Sequence, residues 1–187
     1  MAIYLIRHGE TEWALHNRHT GSTDIPLTKR GEEQARSLGS KLVGVKFARV
    51  LSSPLQRAKV TADLSGVKPE AEISPLLIEF DYGKYEGITS AEIQRDRPDW
   101  DLWRDGCPGG ESPQQVVDRG RRLLEELAPQ REENYALFVH GHVLRAVAVA
   151  YLGTPVGLAR HLVVKVASIS ILSHEHDVPA IEVWDLA

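Results

Sequence analysis

The chain has a single cysteine, Cys107, among 187 residues. No intrachain disulfide can form, which fits a reducing compartment or a fold with no need of cross-links. Positive charge is not in excess: 22 lysines and arginines against 26 aspartates and glutamates leave a formal net charge of −4. A nucleic-acid footprint is normally basic, so no nucleic-acid partner is expected. Local arginines can still build a positive pocket on an acidic protein. No apolar run approaches the length of a membrane-spanning helix, so no membrane partner is expected either. The apolar stretch at the amino terminus is short, has no charged segment before it and is interrupted by Arg7 and His8, so it does not read as a secretion signal. No repeat, low-complexity tract or Pro/Gly/Ser linker divides the chain. A soluble, cytoplasmic protein of one domain over residues 1–187 is the expectation, long enough to bury a substantial core.

What is present alternates between short apolar runs and helical patterns. Ala2 to Ile6 reads as a buried strand, and Gly9 after it permits a turn that other residues resist. A polar loop, 12–27, precedes Thr28, a good N-cap for a helix over 29–43. Strands follow over 47–52 and 71–77, with a helix over 55–64 between them that Pro54 can open. The stretch 79–110 is irregular, with helical turns near 90–95 and 99–103. Ser112 caps a helix over 113–127, Tyr135 to Val139 is a strand, and a helix over 143–152 follows. Two closing strands are expected over 163–173 and 181–186. The pattern points to an α/β layered fold with a largely parallel sheet. In such sheets function gathers beyond the carboxyl ends of the strands.

Ionisable groups follow several of these strands directly. Arg7 and His8 follow the first, Arg57 comes shortly after the second, and His140 follows Tyr135–Val139. A histidine at a strand end can act as a nucleophile, and guanidinium forks match phosphate oxygens. Glu79, after the third strand, is the carboxylate placed to join them as a general acid or base. His140-Gly141-His142 and His174-Glu175-His176 have chelate-like spacing. No metal-binding helix pair or cysteine cluster accompanies them, so no metal or other cofactor is expected.

The segments Arg7-His8-Gly9-Glu10-Thr11, Thr20-Gly21, Pro26-Leu27-Thr28, Ser52-Ser53-Pro54 with Arg57, Glu79 with Tyr82-Gly83 and Glu86-Gly87, Gly110-Glu111-Ser112, and Val139-His140-Gly141-His142 occur in that order. Together they resemble the histidine phosphatase superfamily, also called the phosphoglycerate-mutase-like family, over essentially the whole chain. The resemblance implies a three-layer α/β fold with a mostly parallel central sheet flanked by helices. It implies that His8 accepts the phosphoryl group as a phosphohistidine, and that Arg7, Arg57 and His140 hold its oxygens. Glu79 would protonate the leaving oxygen and then deprotonate the water that hydrolyses the intermediate. Backbone at Thr20, Gly21 and Gly141 would line the phosphate pocket. The substrate would be a small phosphate ester. The physics agrees: phosphoryl transfer asks for positioning and charge stabilisation, and fixed cations can supply what a metal ion supplies elsewhere. Those cations also favour a neutral His8, whose lone pair makes the attack. One position departs from the pattern. Many relatives carry asparagine after the tryptophan of the first motif; here Trp13 is followed by Ala14, Asn17 is out of register, and the asparagine's role is not carried over.

Within the family the mutases carry a longer, Lys- and Arg-rich insertion that clamps a carboxylated phosphoglycerate. Here the interval from Glu79 to Ser112 is short and is most similar to bacterial acid phosphatases and sedoheptulose-bisphosphatase-like enzymes. A phosphatase is expected over a mutase or over a binding module without turnover, with an excursion over about 79–111 covering the substrate. Tyr82 is a candidate substrate contact there. Tyr82, Tyr85, Trp100 and Trp103 either form a lid or pack the excursion onto the domain. Arg95, Arg97 and Arg104 either touch substrate or are solvated. Glu10 reads as a structural hydrogen-bond partner. An edge strand pairing across a twofold axis would allow a homodimer.

Overall fold

The computed structural model describes residues 1–128 and 132–187. Six strands form one sheet: β1 (Ala2–Arg7), β2 (Arg49–Ser52), β3 (Glu72–Ile73), β4 (Asn134–Val139), β5 (Ile169–Glu175) and β6 (Val178–Leu186). Their order across the sheet is β3-β2-β4-β1-β5-β6. The first four run parallel, β5 pairs antiparallel with β1, and β6 pairs antiparallel with β5. The sheet is therefore mostly parallel with an antiparallel closing pair.

Strand periodicity divides the core into two layers. Ile3 and Leu5 of β1, with Tyr135, Leu137 and Val139 of β4, belong to one apolar cluster. Ile6, Ala136 and Phe138 belong to the other. That is the alternation expected of strands buried on both faces. Helices α2 (Lys29–Lys41) and α3 (Gln56–Ser65) supply Leu38 and Ala62 to the second cluster. The long helix Pro113–Leu127 and the helix Gly141–Leu152 supply Val116, Leu123, Val143 and Val147 to the first. Helices thus cover both faces of the sheet.

The predicted caps form. The Thr28 side chain accepts the Gly31 N–H, and Ser112 makes a capping box with Gln115 ahead of Pro113, as the physics of helix starts requires. Elsewhere the structure differs from the sequence expectations. The polar loop contains a short helix, α1 (Glu12–Leu15). The strand expected over 71–77 shrinks to Glu72–Ile73, because Pro75 opens a 3-10 turn over Pro75–Leu77. The strand expected from 163 starts at Ile169, because Ala167 turns with a φ of 50°. Gly9 is also needed for another reason than a turn. Its φ is not among the positive ones, but a Cβ there would sit 2.3 Å from the Gly31 carbonyl oxygen. The glycines let α2 lie backbone to backbone on the loop after β1. The excursion holds α4 (Ser90–Asp96) and α5 (Leu102–Asp105), so the two helices introduced above by range are α6 and α7. No helix among the described residues is long and apolar enough to cross a membrane.

Candidate active site

Strands β1 and β4 end at one level, and β2 ends one residue before it. Arg7 pairs with Val139, and Ser52 pairs with Phe138. The residues that follow leave the sheet side by side: the His8 N–H donates to the Val139 carbonyl at 3.1 Å, and the Ser53 N–H to the Phe138 carbonyl at 3.0 Å. This register brings the His8 and His140 rings to a centroid separation of 5.1 Å.

The His8 ring is held by its Nδ1, 2.7 Å from the Gly9 carbonyl oxygen. A carbonyl can only accept, so Nδ1 carries the proton and Nε2 keeps its lone pair. Burial holds the His8 pKa well below the usual imidazole value, and the Arg57 and Arg7 cations lower it further. His140 is wholly buried. Its Nδ1 accepts from Arg57 Nε at 3.0 Å, and its Nε2 lies 2.8 Å from Ser53 Oγ. Burial, then Arg57, holds His140 neutral as well.

Arg57, on α3, is itself fully buried. Its remaining bonds go to the carbonyls of Thr23 (2.9 Å), Thr20 (3.0 Å) and Gly21 (2.8 Å). The Gly21 N–H in turn donates to the Glu86 carboxylate at 2.9 and 3.0 Å, and the Thr23 N–H joins it at 3.1 Å. A side chain at Gly21 would meet Glu86 Oε2 at 2.6 Å. Glu86 and Arg57 thus fold the Thr20–Thr23 loop between them.

Glu79 lies at the amino end of α7. Its carboxylate accepts from the N–H groups of Phe80 (2.8 Å), His142 (3.0 and 3.2 Å) and Val143 (2.8 Å). Its Oε2 is 4.0 Å from His142 Nδ1, and the same Nδ1 is 2.5 Å from the Tyr82 hydroxyl. Burial, then Glu79, raises the Tyr82 pKa well above the usual phenol value. The hydroxyl therefore keeps its proton and donates it to His142. Arg119, on α6, fixes the approach to Glu79: it donates to the carbonyls of Leu76, Ile78 and Glu79 and pairs with Glu111 at 2.7 Å.

These groups face a cavity of about 460 Å³, within the usual range for small-molecule sites. Arg7, His8, Thr20, Glu79, Tyr82 and Gly141 line it. Arg57, His140 and Gly21 are not on its wall; they form the layer that supports His8 and Thr20 from behind. The Arg7 guanidinium donates to the Val164 carbonyl, and its Nε is buried without a partner. A Cβ at Gly141 would press to 3.2 Å from the Arg7 guanidinium carbon, so the glycine makes room for the cation.

The excursion forms the far wall. Tyr82, Trp100 and Trp103 line the cavity and are also buried in the core. Lid and packing are one and the same here. Arg95, Arg97 and Arg104 do not line it; Arg97 reaches the Tyr85 hydroxyl, and Arg104 pairs with Asp105 at 2.8 Å. Ala14 and Asn17 both line the cavity. Glu10 accepts from the Thr28 hydroxyl at 2.9 Å and lies 4.0 Å from Arg30, a structural partner as read. His174 and His176 are exposed, the former 3.1 Å from the Tyr151 hydroxyl. Sequence reasoning named Ser53 only within a motif, without a role, and did not single out Thr61, Arg119, Arg145 or Arg160. Thr61 Oγ1 accepts the Gly9 N–H at 3.1 Å, and its place one turn after Arg57 on α3 was the only signal for it.

A sequence model of the histidine phosphatase superfamily (branch 1) matches residues 3–187. An acid phosphatase of Mycobacterium tuberculosis is 38% identical over 187 residues, covering 98% of this chain and 92% of the relative. A sedoheptulose 1,7-bisphosphatase of Saccharomyces cerevisiae is 32% identical, covering 80% of this chain and 66% of the relative. A probable phosphoglycerate mutase of Salmonella choleraesuis is 31% identical, covering 94% and 86%. Among solved structures, an open reading frame product of Mycobacterium tuberculosis superposes with a TM-score of 0.94 at 37% identity, covering 100% of this chain and 97% of that one.

Proposed function

The chain belongs to branch 1 of the histidine phosphatase superfamily, and from that membership we propose that it is a metal-independent phosphomonoesterase. Its substrates are small phosphorylated metabolites, sugar phosphates foremost, and the reaction runs through a phosphohistidine on His8. The observation that carries the reading is the state of His8: its ring is anchored through Nδ1, held neutral, and set on the cavity wall with Arg7 and Glu79.

Nε2 of His8 attacks phosphorus, and the bond from phosphorus to the ester oxygen breaks. Glu79 serves as the general acid, its proton passing to that oxygen as the alcohol leaves. Water then attacks the phosphorus, losing a proton to Glu79 as the N–P bond breaks, and inorganic phosphate departs. Arg7 neutralises phosphoryl oxygens directly through its unpartnered Nε side. Arg57 and His140 act from the layer behind, where fixed dipoles and charges need no rearrangement during the step. Thr20, Gly21 and Gly141 shape the pocket around them, and Tyr82 closes it.

The excursion favours hydrolysis over the mutase reaction that one relative's name carries. None of Arg95, Arg97 and Arg104 reaches the cavity to clamp a phosphoglycerate, as a mutase insertion does. The test is hydrolysis of p-nitrophenyl phosphate in the presence of a chelator. Turnover is expected in the native protein, with an acid-labile, alkali-stable phosphoryl adduct on quenching, and both are expected to vanish in His8→Ala. Strict dependence on added divalent metal, or full activity in His8→Ala, overturns the reading. Isomerisation of 3-phosphoglycerate with its bisphosphorylated primer, in place of phosphate release, would make the chain a mutase.

A further inference from the structure

The reaction above uses the backbone N–H of His142, which helps to hold Glu79, but not its ring. The ring lines the cavity and its side chain is 24% exposed. The Tyr82 and Trp103 rings pack against it at centroid separations of 5.7 and 5.8 Å. On one edge, Nδ1 lies 2.5 Å from the Tyr82 hydroxyl, which keeps its proton, so Nδ1 accepts. Burial, then the Arg145 cation, holds the His142 pKa well below the usual imidazole value. A neutral imidazole that accepts at Nδ1 carries its proton at Nε2. That Nε2–H has no acceptor among the described residues. With Nδ1 covered by Tyr82, it is the polar edge that the ring presents to the cavity. A donor in a mostly buried ring is costly until a ligand supplies its acceptor.

The donor stands on the side of the site where the alcohol leaves. Oε1 of Glu79 accepts from Phe80 and Val143 at 2.8 Å each and from His142 at 3.2 Å. Oε2 accepts only from His142, at 3.0 Å. Oε2 is therefore the oxygen with a lone pair to spare for the proton that passes to the ester oxygen, and it is the one 4.0 Å from His142 Nδ1. The phosphoryl group belongs on the other side of that ester oxygen, with His8 and Arg7. We propose that the Nε2–H of His142 donates to an oxygen on the carbon next to the ester, so that the site selects phosphate esters of alcohols with a vicinal hydroxyl or carbonyl over those of plain alcohols. The proposal rests on the phosphomonoesterase reading above and names the leaving-group class and the residue that reads it.

Three esters test it: propane-1,2-diol 1-phosphate, propane-1,3-diol 1-phosphate and n-propyl phosphate, which differ in whether and where a hydroxyl is carried. The readout is the ratio of kcat/KM within the set. In the native protein the 1,2-diol ester is preferred over the other two. His142→Leu is expected to reduce that preference about three- to tenfold, the worth of one hydrogen bond from a neutral donor. The effect of the hydroxyl on leaving-group acidity is the same in native protein and variant, so it cancels in the comparison. Tyr82→Phe, which removes the bond that fixes the tautomer, is expected to lower the preference too, and carries the kinetic test if the leucine variant folds poorly. Equal losses for all three esters would put the donor on the phosphoryl group, and unchanged ratios would leave it without a substrate partner; either result overturns the proposal. Nitrogen-15 NMR of the His142 ring in His8→Ala reads the same donor without turnover. The Nε2–H tautomer is expected in the free protein, with an Nε2 signal that moves further on binding propane-1,2-diol 1-phosphate than on binding n-propyl phosphate. That difference supports the contact even if hydrolysis is not the reaction, whereas an Nδ1–H tautomer, or the same response to both esters, counts against it.

Discussion

Burial comes first among the influences that hold the His8 ring neutral, and Arg57 and Arg7 add to it. In the free enzyme the acid limb of kcat/KM reports the protonation that removes the nucleophile's lone pair. That limb is therefore expected well below the ordinary imidazole value of 6.5. Arg57→Gln, which removes the larger of the two cationic contributions, should move it upward as well as slow turnover. A limb at or above 6.5 in the native protein would show that His8 is not the group being titrated. At this scale the sequence was readable where chemistry sits directly behind an apolar strand, as with Arg7, His8 and His140. It was unreadable for Arg145 and Arg119. Both lie inside helices, where periodicity cannot tell a guanidinium buried against a cavity or a backbone from one in water. Gly9 was singled out, but its necessity comes from the Gly31 backbone lying against it, a contact across the fold that local sequence cannot show.

The element that carries Glu79 is neither helix nor strand, and what fixes it is Arg119. One guanidinium gathers the carbonyls of residues 76, 78 and 79 and is neutralised by Glu111. Arg119→Met keeps much of the apolar stem but takes the counter-charge from Glu111 and this donor from three carbonyls. Breaking a partly buried pair of this kind typically costs about 3 kcal/mol in stability, and a loss of that order is expected in denaturant unfolding. Because the carboxylate is set by this segment, kcat for substrates with poor leaving groups should fall more than kcat for p-nitrophenyl phosphate. Equal losses for both would mean that Arg119 only stabilises the fold. The same region shows why element boundaries escaped the sequence reading. An apolar run over 71–77 resembles a strand until Pro75 withholds its N–H and the chain tightens into a 3-10 turn.

For the whole molecule, the buried neutral imidazoles couple stability to pH. His8 and His140 are 4% and 0% exposed, and both bind their protons well below 6.5 in the native state. In the unfolded chain they bind them near 6.5, so below that pH the unfolded state holds more protons and stability falls as pH falls. Above 6.5 neither group contributes a slope. Each contributes up to about 1.4 kcal/mol per pH unit between the two values. Denaturation midpoints between pH 5 and 6.5 should show this slope, and His140→Gln should make it shallower by about one proton. A midpoint flat below 6.5 would contradict the burial of these rings as charge-free groups. The layered α/β arrangement was legible because strands and helices alternate at their own periods. The order β3-β2-β4-β1-β5-β6 was not, because it depends on pairings between segments more than a hundred residues apart, such as β1 with β4.

The register that ends β1, β4 and β2 within one residue of each other has a consequence for how such a protein can change. Three strands held in fixed register act as a gauge block, and a one-residue slip in any of them would turn its terminal side chain to the opposite face. The excursion over 79–111 carries no such measure. Its exposed turns can be lengthened or trimmed so long as the Arg119 anchor, the Glu79 entry, the Tyr82–His142 contact and the hold of Glu86 on the Thr20–Thr23 loop survive. Choice of substrate and execution of the reaction are thereby separate inheritances, and one can be rewritten while the other stands still.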